Sequence, residues 1–199
     1  MINSKWIFVG LALQSWGGIS YLIDTIKGKV QPNKVSWLLW SIAPLIAFFA
    51  QIKQGVGIEV WSTFIVGFIP LVVFLASFVN KKAKWEIGKL DIVCGTLSIL
   101  GLMLWLITKV GNVAIFFSIL ADGLAAIPTI VKSYKDPDSE NHLPYSLGIP
   151  NSVFALFVIT DWNFQNWGFV VYLLLVNTII AVLVKFRLGK MINRYIKSS

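Results

Sequence analysis

Cysteine and histidine each occur once in the 199 residues. The single Cys94 permits no intramolecular disulfide, gives no reading of redox compartment, and reads as a small apolar packing residue. His142 stands alone in a loop beside acidic residues, so neither a His/Cys metal cluster nor a Ser–His–Asp set can be assembled around it. No Gly-x-x-x-x-Gly-Lys stretch is available to cradle a phosphate, and no Asn-x-Ser/Thr acceptor is present. An ATP-driven pump or an intramembrane hydrolase is therefore not expected; the reading is of a non-enzyme without a cofactor. Charge is the other scarcity. Only 13% of residues are charged, against roughly 25% in soluble domains.

Apolar side chains make up 57% of the chain and the mean hydropathy is +0.77. A soluble fold of this size cannot hide so much apolar surface, whereas a bilayer accepts it in runs of about 20 residues. Seven runs qualify, over residues 6–26, 35–52, 58–79, 90–110, 113–131, 143–159 and 167–186. Pro44 and Pro150 interrupt the second and sixth. The first run is too long for a signal-peptide core and lacks a small-residue cleavage site, so it is expected to remain in the mature protein.

The net charge of +8 follows topology and does not imply a nucleic-acid partner. Fourteen of the 17 basic residues fall on one side, in the first loop (Lys27, Lys29, Lys34), the third (Lys81, Lys82, Lys84, Lys89), the fifth (Lys132, Lys135) and the C-terminal tail. Lys5, Lys53 and Lys109 are left for the other side. Cytoplasmic loops retain Lys and Arg, so the N-terminus is expected outside and the C-terminus in the cytoplasm of a cell's plasma (inner) membrane. That orientation requires an odd number of spans, in agreement with seven.

A shift of 105 residues aligns the chain with itself, pairing Gly18 with Gly123, Lys27 with Lys132, Pro32 with Pro137, Trp40 with Tyr145 and Ser41 with Ser146. The pair Lys27…Pro32 and Lys132…Pro137 carries most weight, because it repeats one spacing beyond the same helix. Spans 1–3 map onto spans 5–7, and span 4 is unmatched. Three crossings invert a chain, so one added helix restores direction and makes the two triplets parallel. The expected fold is all-α: an integral membrane protein of seven transmembrane helices, with a three-helix bundle over 1–80, a linker helix over 81–111, and a second bundle with a basic tail over 112–199.

On these features the chain resembles the SWEET/PQ-loop superfamily of small-solute carriers over nearly its whole length. The 3+1+3 pattern, the outside N-terminus, the polar loop after the first helix of each triplet and the segment Leu143-Pro144-Tyr145 carry the resemblance. The Pro-Gln pair of PQ-loop proteins is absent, its nearest counterparts being Tyr21-Leu22 and Pro128-Thr129. Of the asparagines that such carriers place on the third helix of each triplet, only Asn177 has a match, with Leu71 opposite it. Trp37-Leu-Leu-Trp40, followed by Gln51, is similar to the Trp-x-x-Trp segment of bacterial nicotinamide riboside carriers, which share the 3+1+3 plan. The two resemblances imply a carrier of a small polar solute (sugar-, vitamin- or amino-acid-like) and leave the solute open. A non-transporting subunit or sensor on the same fold is the alternative. Self-association into a homo-oligomer is open.

Asp122 is the most informative residue. An ionised carboxylate inside a span costs several kcal/mol, so it must face a cavity, find a partner or stay protonated. At helical spacing it aligns with Ser118, Ala125 and Thr129, and the 105-residue shift maps this stripe onto Leu13, Gly17, Ser20 and Asp24. Asp122 is expected to couple solute to protons or to neutralise a cationic solute, with bridging of helices as the alternative. Asp24 and Asp91 lie nearer the span ends, within reach of headgroups. Asn151, Asn177 and Gln14 can donate and accept toward hydroxyl- or amide-bearing solutes, or tie helices together. Trp37 reads as an interface anchor, and Trp40, a turn deeper, as a flat face for a ring. Trp6, Trp61, Trp85, Trp162 and Trp167 read as belt residues. Asp122, Asn151, Asn177, Trp40, Gln14 and Ser118 are thus the candidate binding residues.

Overall fold

A computed structural model describes residues 6–53, 60–79, 86–108 and 111–198. Among them the chain forms helices α1 (Trp6–Ile26), α2 (Lys34–Lys53), α3 (Val60–Ala76), α4 (Lys89–Ile107), α5 (Gly111–Lys135), α6 (Leu143–Val158), α7 (Phe164–Lys185) and α8 (Leu188–Ser198). A single 3₁₀ turn occupies Pro137–Ser139, and no strand occurs among the described residues. Helices α1 to α7 fall on the seven apolar runs. Three of the described helical stretches are long and apolar enough to cross a membrane: Lys89–Ile107, Ile115–Lys135 and Phe164–Lys185. Those in α2, α3 and α6 are apolar but shorter.

The helix ends are written in the sequence. Gly28 takes φ 68°, and this lets the N–H groups of Gly28 and Lys29 return to the carbonyls of Thr25 (3.0 Å) and Asp24 (2.9 Å) and close α1. Asn33 caps α2 by accepting from Ser36 N–H at 3.1 Å. Asp91 accepts from Gly88 N–H at 2.7 Å and binds the buried Asn33 amide, so it ties the start of α4 to the start of α2. It is 3% exposed; the expectation that it reaches headgroups is not met. Pro144 opens α6, while Pro44, Pro70, Pro128 and Pro150 sit inside α2, α3, α5 and α6.

α3 packs against both α1 and α2, and α7 likewise packs against both α5 and α6. Across the two groups, α1 packs on α6 and α2 on α5. Exchanging α1, α2 and α3 with α5, α6 and α7 leaves this set of pairings unchanged. The same exchange holds for side chains. Ser36 Oγ donates to the Ala125 carbonyl at 2.6 Å and accepts from Thr129 Oγ1 at 2.9 Å. Residues 36, 125 and 129 are counterparts of Asn141, Ser20 and Asp24 under the 105-residue shift. Asn141 Nδ2 indeed binds Ser20 Oγ at 3.3 Å and Asp24 Oδ2 at 2.8 Å. The chain-reversing segments after α1 and α5 also meet, Gln31 N–H donating to the Ser139 carbonyl at 2.8 Å, with Pro32 and Pro137 fully buried.

α4 lies outside this arrangement and packs chiefly on α5, with a smaller contact on α2. Its buried residues, Asp91, Cys94, Gly95, Ser98 and Gly101, recur at helical spacing, so one narrow stripe faces inward, toward α2 at Asp91 and Gly95 and toward α5 at Ser98 and Gly101. Ser98 Oγ donates to the Ala121 carbonyl at 2.6 Å. A Cβ on Gly101 would meet Ala121 at 3.1 Å, the close approach expected of small residues between membrane helices. Cys94 is thus the packing residue expected. The rest of α4 exposes Ile92, Val93, Leu97, Leu100, Met103 and Leu104, a continuous apolar face.

Three sequence expectations change. Trp37 is not an exposed interface anchor: it is 4% exposed and lies on the Tyr21 ring with centroids 4.6 Å apart. Lys132 is not a free loop charge. It is fully buried, pairs with Glu140 at 2.6 Å and binds the Gln31 carbonyl, while Tyr21 OH donates to Glu140 at 2.7 Å. The basic tail forms α8, anchored where Asp138 accepts from Arg187 at 3.0 Å and also binds Lys190. Trp6, Trp61 and Trp162 are exposed, as belt residues are. Lys5, Lys81, Lys82, Lys84, Trp85 and Lys109, together with the side chains of Gln51 and Lys53, lie outside the described residues.

Candidate functional site

Each of the six helices α1, α2, α3, α5, α6 and α7 contributes to one cavity of about 140 Å³, and α4 contributes nothing. Gln14 enters from α1, Trp40 from α2, Pro70 from α3, Asp122 from α5, Tyr145 from α6 and Asn177 from α7. Four of the six candidate residues, Gln14, Trp40, Asp122 and Asn177, therefore meet in one place. Ser118 does not reach it. It lines a second cavity of about 190 Å³ between α2, α4, α5 and α7, which shares Pro44, Asp122 and Phe169 with the first. Asn151 does not line the first cavity either; its amide binds Gln14 Oε1 and so fixes the orientation of a residue that does.

The stripe on α5 explains how Asp122 comes to face inward. Ala125 and Thr129 are fully buried and carry the contact with Ser36, so the same face two turns earlier looks between α2 and α7. There the carboxylate accepts from Tyr172 OH of α7 at 2.6 Å. The ring of Tyr172 lies over Gly123, where an added Cβ would stand in ordinary contact, 3.6 Å from the nearest ring atom. Tyr172 is the main residue the sequence reading missed. Its only signal was a phenol in an apolar helix, five residues before Asn177, and phenols are ordinary in such helices.

Asn177 is set by a similar accommodation. A Cβ on Gly148 would stand 2.8 Å from its amide nitrogen, so a larger residue there would push the Asn177 amide aside. Trp40 stacks edge-on against Trp37 at 5.5 Å. Its Nε1 and the Tyr145 hydroxyl are buried without a hydrogen-bond partner. Each such group costs about 1–3 kcal/mol. Both residues line the cavity beside Asp122, together with Val66, Leu173, Val176 and Ile180, and a few polar groups within apolar walls are the composition of a small-molecule site.

The end of the bundle carrying the chain-reversing segments is sealed by the Lys132–Glu140–Tyr21 cluster and by the two Ser36 and Asn141 contacts. His142 sits at this end, its Nδ1 3.1 Å from Ser146 Oγ. Partial burial, and then repulsion from Lys185, hold its pKa below the ordinary 6.5. Asp138 is held below the usual carboxylate range, chiefly by its hydrogen bond to Lys190. Comparison with family models, curated proteins and solved structures finds no match to this chain.

Proposed function

We propose that this chain is a membrane carrier for a small polar solute, working by alternating access between two three-helix bundles, α1–α3 and α5–α7, joined by α4. The single observation that carries the reading is the cavity shared by all six bundle helices and avoided by the seventh. A site made jointly by two bundles is one that rocking of one against the other opens to each side in turn. Support for paired bundles comes from the exchangeable pairings and from the matched contacts of Ser36 and Asn141. On this reading all seven helices span the membrane, with the N-terminus outside and the C-terminus in the cytoplasm, in a SWEET/PQ-loop-like plan. Asp122 couples transport to protons or neutralises a cationic solute, and Gln14, Trp40 and Asn177 contact the solute. Asn151 and Ser118 act beside the site, the first by orienting Gln14.

The rival is a non-transporting subunit or sensor. It draws on the Asn151–Gln14 and Tyr172–Asp122 bonds, each of which also ties two helices together. Uptake of a solute panel by purified protein in liposomes separates the two. Saturable uptake of at least one solute above protein-free liposomes is expected; none for any class of small polar solute would leave the rival.

A further inference from the structure

The two cavities that share Asp122 have a one-sided charge. Among their described lining residues Asp122 is the single carboxylate, and none is Lys, Arg or His. An anionic solute would find no positive partner there, and a neutral solute would leave the carboxylate to be neutralised by something else. The other polar groups are also specific in what they lack. Trp40 Nε1 can only donate, and the Tyr145 hydroxyl, on a side chain 4% exposed, has no partner on either count. Trp40 therefore calls for an acceptor oxygen on the bound molecule, to which the Tyr145 hydroxyl can also donate. The aromatic rings of Trp40, Tyr145 and Phe169 line the same space and offer faces that attract a cation.

We infer that the six-helix cavity takes a small organic monocation bearing a hydrogen-bond-accepting oxygen, its charge meeting Asp122 and its oxygen meeting Trp40 and Tyr145. The inference rests on the carrier reading for the route by which the solute arrives, but binding at equilibrium does not depend on transport. One carboxylate holds either a proton or the cation. The titratable group in contact with Asp122 is Tyr172 of α7, and Tyr145 of α6 lines the same cavity; among the described lining residues, α1, α2, α3 and α4 bring none to either cavity. Proton and cation therefore compete for a single position, which is the requirement for exchanging one against the other.

Choline and 3,3-dimethyl-1-butanol have nearly the same shape and differ by the charge on one atom, so they isolate the claim. Their binding to the full chain in detergent is measured by calorimetric titration, with tetramethylammonium as a cation lacking the oxygen. The expected result is choline binding at least about tenfold tighter than the neutral alcohol and tighter than tetramethylammonium. Once the carboxyl is protonated, choline affinity should fall by about tenfold for each further pH unit downward. The Asp122→Asn protein should lose the preference for choline over the alcohol. If that variant does not fold, the comparison within the unaltered protein decides alone. Equal binding of choline and the alcohol, or no saturable binding of either cation at pH 8, overturns the inference. Selective choline binding without uptake into liposomes would instead overturn the carrier reading and keep the site. Uptake of some other solute by a protein indifferent to choline would do the reverse.

Discussion

A carboxylate in the middle of an apolar helix costs several kcal/mol unless something there satisfies or uses it, and Asp122 has one hydrogen-bond donor, Tyr172, and an open cavity. Asp122→Asn keeps the shape and can still accept from Tyr172 but cannot ionise. The variant should insert and fold as before while losing pH-gradient-driven uptake; unchanged gradient-driven uptake would exclude the coupling role, and loss of folding would favour helix bridging. Lys132 and Glu140 make the opposite kind of pair, fully buried and closed to the cavity. Lys132→Met alone strands the Glu140 charge and should destabilise by about 3–5 kcal/mol, whereas Lys132→Met with Glu140→Gln should recover most of the loss. Thermal unfolding of the three proteins in one detergent checks the order. Asp122 was legible because a charge inside an apolar run is conspicuous. Lys132 was misjudged for the complementary reason: at the end of a run, a lysine that marks the cytoplasmic side and one folded back into an ion pair look alike.

Helices α1 and α6 meet along small residues, and the fit is close. A Cβ on Gly17 would lie 2.6 Å from the Pro144 backbone, which cannot yield as a flexible side chain does. Gly17→Ala should therefore cost about 1–3 kcal/mol, while Ala12→Gly, at an exposed position of the same helix, should cost no more than about 1 kcal/mol; a difference in thermal midpoint between the two proteins is the readout. At the start of α6, His142 titrates below its ordinary 6.5 in the folded protein. The unfolded chain consequently takes up its proton first, so the histidine's contribution to stability is complete above about pH 6.5 and declines as pH falls through its folded value. The stability difference between the unaltered protein and His142→Gln should be constant above neutrality and shift in favour of the variant toward pH 5. A pH-independent difference would show that burial does not govern this ring. Helix positions were readable from apolar run length. Which face of each helix turns inward was readable only where polar and small residues formed a stripe, as on α5. The bulky faces of α2 gave no such sign, and Trp37 was therefore placed outside when it is buried.

Across the whole molecule, the 105-residue shift is the most useful thing the sequence offered. It rests on a few weak identities, yet it relates Ser36, Ala125 and Thr129 to Asn141, Ser20 and Asp24, although serine and asparagine share only a polar tip. The contacts that match under the shift join different residue types, so matching by identity catches a fraction of them. Convergence of Gln14, Trp40, Asp122 and Asn177 was not legible, because it depends on how the two groups of helices close on each other. The proposed orientation has its own check: a cysteine placed at Ser198, in a Cys94→Ala background, should resist impermeant thiol reagents on whole cells, and ready labelling would reverse the topology. The carrier claim is tested most directly by uptake into proteoliposomes under an imposed pH gradient, using a panel of labelled sugars, nucleosides, amino acids and quaternary amines. At least one solute should accumulate saturably with the unaltered protein and fail to accumulate with Asp122→Asn; uptake no greater than in protein-free liposomes for every solute would contradict the account.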